Sequence, residues 1–245
     1  MSSTNKAPSH KSQSIREETF LLVFVLDRTG SMRSCYDATI SGFNEFLHAQ
    51  QKERAGEASL TLVQFDRHAD EPTCQTRYQA AKLSRIADLG SRQNRYQPRG
   101  TTPLFDAVGE TIAATDQVSD RYDHVLFIIQ TDGLENASRE YTQQQVFQMV
   151  GERRERGWDF VFLGADVDAY QLGGALNVPT GNTMSYSSTN QARPAFAALA
   201  GTASRYRRSR GATGGATEAL ANAPVLRPGE AAAPGKPKPN ASYPN

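Results

Sequence analysis

Asp27, Thr29 and Ser31 stand at alternate positions in Asp27-Arg28-Thr29-Gly30-Ser31-Met32, directly after the apolar run Phe20-Leu21-Leu22-Val23-Phe24-Val25-Leu26. One carboxylate and two hydroxyls leaving a strand end together form a set of hard oxygen donors, the kind that holds Mg²⁺ or a similar cation. The run before them has no polar alternation, so it reads as a strand covered on both faces. Sheets built of such strands present their ligand-binding side chains at the carboxyl ends. Asp, Thr, Gly and Ser also build ordinary turns and caps, so this segment alone leaves both readings open.

Two later segments bear on that choice. Arg99-Gly100-Thr101-Thr102-Pro103-Leu104-Phe105-Asp106-Ala107 opens an expected helix with a glycine and paired threonines, Pro103 being suited to the first turn. His124-Val125-Leu126-Phe127-Ile128-Ile129-Gln130 is a second buried strand, and it ends in Thr131-Asp132-Gly133. Oxygen donors spread over about a hundred residues, with helices between them, converge only along one edge of a parallel sheet.

Together these residues resemble the von Willebrand factor A-type domain and its metal-ion-dependent adhesion site. That family carries D-x-S-x-S after its first strand, a Thr in a central loop and an Asp after its fourth strand. Asp27, Thr29, Ser31, Thr102 and Asp132 match position by position. Thr102 is preferred to Thr101 because the family's Thr immediately precedes Pro-Leu-x-Asp-Ala. Thr29 departs from the pattern, since Ser is usual there; its hydroxyl keeps the donor while its methyl adds bulk. The resemblance covers roughly residues 19–176 and extends to Gly157–Ala165 and Asp132–Glu140, which are similar to segments of small stand-alone bacterial and phage-like members.

The resemblance implies a doubly wound, mostly parallel α/β sheet with helices on both faces and one antiparallel edge strand. It implies that Thr29 and Ser31 ligate Mg²⁺ or Mn²⁺ through their hydroxyls, that Thr102 does so directly or through water, and that Asp27 and Asp132 act largely through water. An open coordination position then accepts a carboxylate from a protein partner, so the expected activity is recognition and not turnover. A rival of another class starts from the same residues. Asp27-Arg28-Thr29-Gly30-Ser31 also resembles the phosphorylated-aspartate loop of the haloacid-dehalogenase superfamily, with Asp27 as the nucleophile. That superfamily's acidic loop has a further Asp where this chain has Ala137, and no Lys lies between Lys82 and Lys236.

Composition sets the outer bounds. The chain has 245 residues with 38% hydrophobic content, enough for one good-sized domain with tails. No stretch approaches the ~18 to 20 apolar residues of a membrane span. Residues 1–18 are expected to be a disordered lead-in without a signal core, and the cytoplasm is the expected compartment. Two widely spaced cysteines, Cys35 and Cys74, are neither a disulfide framework nor a zinc site and are expected as free thiols.

The formal charge of +1 is unevenly distributed. From Arg205 onward there is a surplus of five positive charges, while residues 19–204 carry a net charge of −5. An acidic core suits a cation site. The cluster Arg205-Tyr206-Arg207-Arg208-Ser209-Arg210 reads as a solvated helix end, and nucleic acid is not the expected partner. The folded domain is expected over residues 19–206, followed by a Gly/Ala/Pro-rich basic tail over 207–245.

The elements that must position the site alternate along the chain. Ile40, Phe43, Phe46 and Leu47 recur at helical spacing, placing a helix over 36–54. Strands follow over 59–65 and 73–80, the second an antiparallel edge, and then a brief helix over 83–89. A helix over 102–118 is expected to turn Leu104, Val108, Ile112 and Ala113 inward. A strand over 124–130, a helix over 142–156 with Val146, Met149 and Val150 inward, and a strand over 159–164 complete the wound core. Asp166 is expected to cap a helix running toward Leu176. A short strand over 184–186 and a closing helix over 190–206 end the domain. Asp106, Glu135 and Asn136 lie close to the site residues in sequence, where first-turn and loop roles explain them as well as ligand contacts do. His10, His48, His68 and His124 have no ligand spacing, and none is assigned a role.

Overall fold

The computed structural model describes residues 17–188 and 191–211. The long apolar runs form strands because each is buried on both faces. β1 (Thr19–Asp27), β2 (Glu57–Phe65), β4 (His124–Thr131), β5 (Asp159–Ala165) and β6 (Thr183–Tyr186) run parallel, and β3 (Cys74–Lys82) pairs antiparallel with β2 at the edge. The sheet order is β3-β2-β1-β4-β5-β6. β1 sits at the centre in register with both neighbours, Asp27 opposite Phe65 and Leu26 opposite Gln130, so its carboxyl end falls at the middle of one sheet edge.

Alternation along β1 divides the core in two. Phe20, Leu22, Phe24 and Leu26 face α1 (Tyr36–Lys52) and α5 (Ala192–Gly211), where Phe24 meets Phe43 and Phe46 edge-on. Leu21, Val23 and Val25 face α2 (Leu104–Ser119), α3 (Gln143–Glu155) and α4 (Ala169–Ala175). This is the doubly wound, mostly parallel α/β architecture that the sequence predicts, with helices on both faces and one antiparallel edge. No helix among the described residues is long and apolar enough to cross a membrane.

Several local expectations are corrected. Residues 83–89 contain one 3-10 turn, Leu83–Arg85, and not a helix, because Ile86 and Leu89 are drawn into the α1 side of the core. α2 begins at Leu104 with Pro103 at its N-cap; on it Ala113 is exposed while Thr111 and Thr115 are buried. Asp168, not Asp166, caps α4, accepting from the Gln171 N–H at 3.0 Å. Asp166 has φ +55 and instead accepts from the Ser188 N–H at 3.2 Å and from the Ser188 hydroxyl.

The largest correction concerns the basic cluster. α5 continues to Gly211, past the expected boundary at Tyr206, and Arg207 is 1% exposed. Its guanidinium donates to the carbonyls of Gln50, Glu53, Ala55 and Gly56, the unpaired acceptors at the end of α1 and just beyond it. Arg207 is therefore a clamp between the closing helix and α1, while Arg208 pairs with Glu53 at the surface. The expected lead-in up to residue 16 and the tail from residue 212 lie outside the described residues.

Candidate metal centre

Asp27 ends β1, buried and without exposure. Its Oδ1 accepts from the Thr29 N–H at 2.7 Å and its Oδ2 from the Thr131 hydroxyl at 2.5 Å, so both oxygens are fixed and the carboxylate cannot rotate. The chain then turns through a 3-10 segment, Gly30–Cys35, that brings the Thr29 and Ser31 hydroxyls to 3.1 Å from each other. Ser31 Oγ donates to Asp132 Oδ1 at 2.6 Å, across 101 residues of sequence. A Cβ added at Gly133 would lie 2.8 Å from Thr102 Oγ1, which places that hydroxyl directly against the residue after Asp132. Thr101 is exposed and pairs with Arg67 through its backbone. The structure thus gathers Asp27, Thr29, Ser31, Thr102 and Asp132 at one point of the sheet edge.

Three loops are locked together to make this arrangement. The Gly30 N–H donates to the Gly100 carbonyl at 3.1 Å and the Arg99 N–H to the Arg28 carbonyl at 2.8 Å. Gly100 has φ +66, and a side chain there would strike the Arg67 carbonyl at 2.2 Å, so only glycine lets the threonine loop approach β2. Behind the backbone contacts, Asp66 is buried between two guanidinium groups: Arg28 donates to its Oδ1 at 2.7 Å and Arg99 to its Oδ2 at 2.8 Å. Arg99 also reaches Glu71. Tyr96, buried and stacked on Tyr36, donates from its hydroxyl to the Asp27 carbonyl at 2.6 Å.

The turn after β4 is tied to the threonine loop by a reciprocal pair, Thr102 N–H to Asn136 Oδ1 at 2.8 Å and Asn136 N–H to the Thr102 carbonyl at 3.0 Å. Glu135 accepts from the Phe105 N–H at 3.0 Å and from Ser138. Asp106 accepts from the N–H groups of Arg139, Glu140 and Tyr141 and from Arg67. Burial opposes its charge, but these donors outweigh burial and hold the carboxyl below its usual range. Asp106, Glu135 and Asn136 thus position the Thr102 loop.

Thr131, Asp66 and Tyr96 are positioning residues that the sequence reading missed. Asp66 follows the last residue of a buried strand, as Asp27 ends one and Asp132 follows another, and that shared placement was the available signal.

Charge at the site is uncompensated. Burial pushes the Asp27 carboxyl from its ordinary 3.8 up to about 7, against the hydrogen bonds from Thr131 and Thr29, and Asp132 adds to the rise. Burial also raises Asp132, opposed by the bond from Ser31. Among the described residues no Lys, Arg or His pairs with either carboxylate. No cluster of three or more His, Cys, Asp or Glu suited to a metal occurs among them, so the donor set here is distinguished by its hydroxyls. The set fits a hard divalent ion: an octahedron with ~2.1 Å bonds separates neighbouring oxygens by ~3 Å, close to the Thr29 to Ser31 spacing.

A scan against protein-family models gave no match, and a search of curated proteins gave none either. Solved structures do match. The vWF domain of the type V pili tip protein Mfa5 from Porphyromonas gingivalis is similar at TM-score 0.57 and 11% identity, over 77% of this chain and 96% of that one. The SpRpn10 VWA domain matches at TM-score 0.50 and 7% identity, over 75% and 95%. Proximal thread matrix protein 1 from the mussel byssus matches at TM-score 0.52 and 12% identity, over 74% of this chain; the match spans 46% of that chain's length. Sheet order, the two-faced helical cover and these likenesses agree: the chain has the von Willebrand factor A-type fold.

Proposed function

We propose that this domain is a metal-dependent protein-binding module in which Asp27, Thr29, Ser31, Thr102 and Asp132 hold Mg²⁺ or Mn²⁺. The observation that carries the reading is the pair of neighbouring carboxylates, Asp27 and Asp132, linked through the Thr29 and Ser31 hydroxyls with no basic partner among the described residues. Ser31 donates its proton to Asp132, so Thr29 is the donor in the contact between the two hydroxyls and one Ser31 lone pair is left for a cation. Both Asp27 oxygens are already engaged, which suits contact through water. A bound divalent ion would supply an electrophilic position for a carboxylate oxygen from a protein partner.

Around this point Ser31 is exposed, Leu134 is 62% exposed and Arg33 carries an exposed guanidinium. These groups suit an acidic side chain flanked by an apolar residue. The proposed compartment is the cytoplasm, which suits the unpaired Cys35 and Cys74. Among the described residues the phosphotransfer alternative draws no support from the lysines: Lys82 pairs with Glu57 at the opposite end of the sheet, and Lys52 ends α1.

The test is calorimetric titration of Mg²⁺ and Mn²⁺ into metal-stripped protein, beside Asp27→Ala and Thr102→Ala and with an acyl-phosphate trap. Binding weakened in both variants, with no trapped phosphoaspartate, supports the module. A trapped phosphoryl group on Asp27 would replace this reading by phosphotransfer.

A further inference from the structure

On the α2 face, away from the metal centre, an open pocket of about 180 Å³ lies at the edge of the sheet between α2 and the strands β2 and β3. Its origin is in the backbone. The β2–β3 ladder slips in register between Leu60 and Leu62 and again between Leu62 and Val63, and Ala80 takes a left-handed φ of +45. The Ala80 N–H leaves the ladder and donates to Thr61 Oγ1 at 2.9 Å. Bulges bend an edge strand and open space beneath it. On the facing side α2 presents Thr111, Ala114 and Thr115 where larger apolar residues would have filled the gap.

Two polar groups of the lining have no partner stronger than the Cys74 thiol beside them. Thr111 is 3% exposed, yet its Oγ1 is buried without a hydrogen-bond partner. Such an orphan is costly and points to a missing partner. Glu110, half-buried beside it, is in no ion pair among the described residues. Burial raises its carboxyl, with Glu140 and Asp106 adding to the rise and the neighbouring Cys74 opposing it. The rest of the wall is mixed, with Val63 and Val118 as its large apolar groups beside Thr61, Thr76 and Gln79.

We propose that this pocket binds a small alkylamine, its ammonium between Glu110 and Thr111 Oγ1 and its alkyl chain against Val63 and Val118. An ammonium supplies donors for both the carboxylate and the orphan hydroxyl together with a charge to pair with Glu110, whereas a neutral alcohol can donate to Glu110 and accept from Thr111 but brings no charge. The volume sets the size: a cavity of ~150 Å³ accommodates a benzene-sized molecule, so about six non-hydrogen atoms fit.

Isobutylamine and isobutanol titrated calorimetrically into the full chain test the assignment, with Glu110→Gln and Ala114→Leu as variants and circular dichroism to verify their folding. The amine is expected to bind about tenfold or more tightly than the alcohol, to lose that advantage in Glu110→Gln and to be excluded by Ala114→Leu. In the wild-type protein it is also expected to slow iodoacetamide alkylation of Cys74, which lines the pocket. No saturable amine binding, equal binding of the alcohol, or an unchanged alkylation rate would overturn the proposal without reference to either variant.

Discussion

Asp27→Asn isolates the electrostatic cost of burying the Asp27 carboxylate. The asparagine keeps the side-chain shape and an oxygen for the Thr29 N–H, and Thr131 can turn its hydroxyl toward the Gly133 carbonyl, which it already contacts at 3.2 Å. In the wild type, burial raises the folded carboxyl to about 7 from the 3.8 of an exposed Asp. Between those values the native state holds a proton that the unfolded chain has released. The contribution of Asp27 to the stability of the metal-free protein therefore falls as pH rises from about 4 and levels off above about 7. At ~1.4 kcal/mol per pKa unit the full loss approaches ~4 kcal/mol, a large share of the ~5 to 15 kcal/mol that keeps a domain folded. Urea denaturation of the wild type and Asp27→Asn in EDTA, at intervals from pH 4 to 8, reads this directly. The difference between the two proteins is expected to shift toward the variant as pH rises, and saturating Mg²⁺ is expected to restore the wild type most at the alkaline end. Parallel stability curves for the two proteins across that range would refute the claim that Asp27 is a desolvated, uncompensated charge.

Other perturbations probe the scaffold. Asp66→Ala strands Arg28 and Arg99 beside a buried void and is expected to cost ~3 to 5 kcal/mol by urea denaturation, with metal affinity falling because all three loops loosen. Arg207→Ala removes the guanidinium donors from four carbonyls around the end of α1 and is expected to destabilise by ~3 kcal/mol or more, whereas Arg208→Ala at the surface should cost under ~1 kcal/mol. Gly133→Ala places its Cβ against Thr102 Oγ1 and is expected to weaken Mn²⁺ binding about tenfold with little change in thermal stability.

What could be read in the sequence was what local pattern controls. β1 and β4 are continuous apolar runs because both their faces are covered, and a sheet of such strands has to be parallel and flanked by helices. The five oxygen-bearing residues were visible because each stands at or near a strand end or helix start, where topology then brings them together. What escaped was decided by distant partners. Arg207 reads as one more charge in a basic helix end, and only the packing of α5 on α1 reveals the carbonyls it satisfies. Asp166 and Asp168 are equally good caps by type; the bond from Ser188 to the first leaves the second for α4. Ala113 falls on a plausible inward face, but the buried stripe of α2 runs through Thr111 and Thr115, beneath a bulged edge whose irregularity no periodicity announces.

The central claim is that the five residues form one cation site, and the most direct measurement is anomalous diffraction at the manganese edge from crystals soaked in Mn²⁺. The account predicts a single strong peak within bonding distance of the Thr29 and Ser31 hydroxyls, close to Thr102 and between the Asp27 and Asp132 carboxylates. A peak elsewhere, or none at this edge of the sheet, would contradict it.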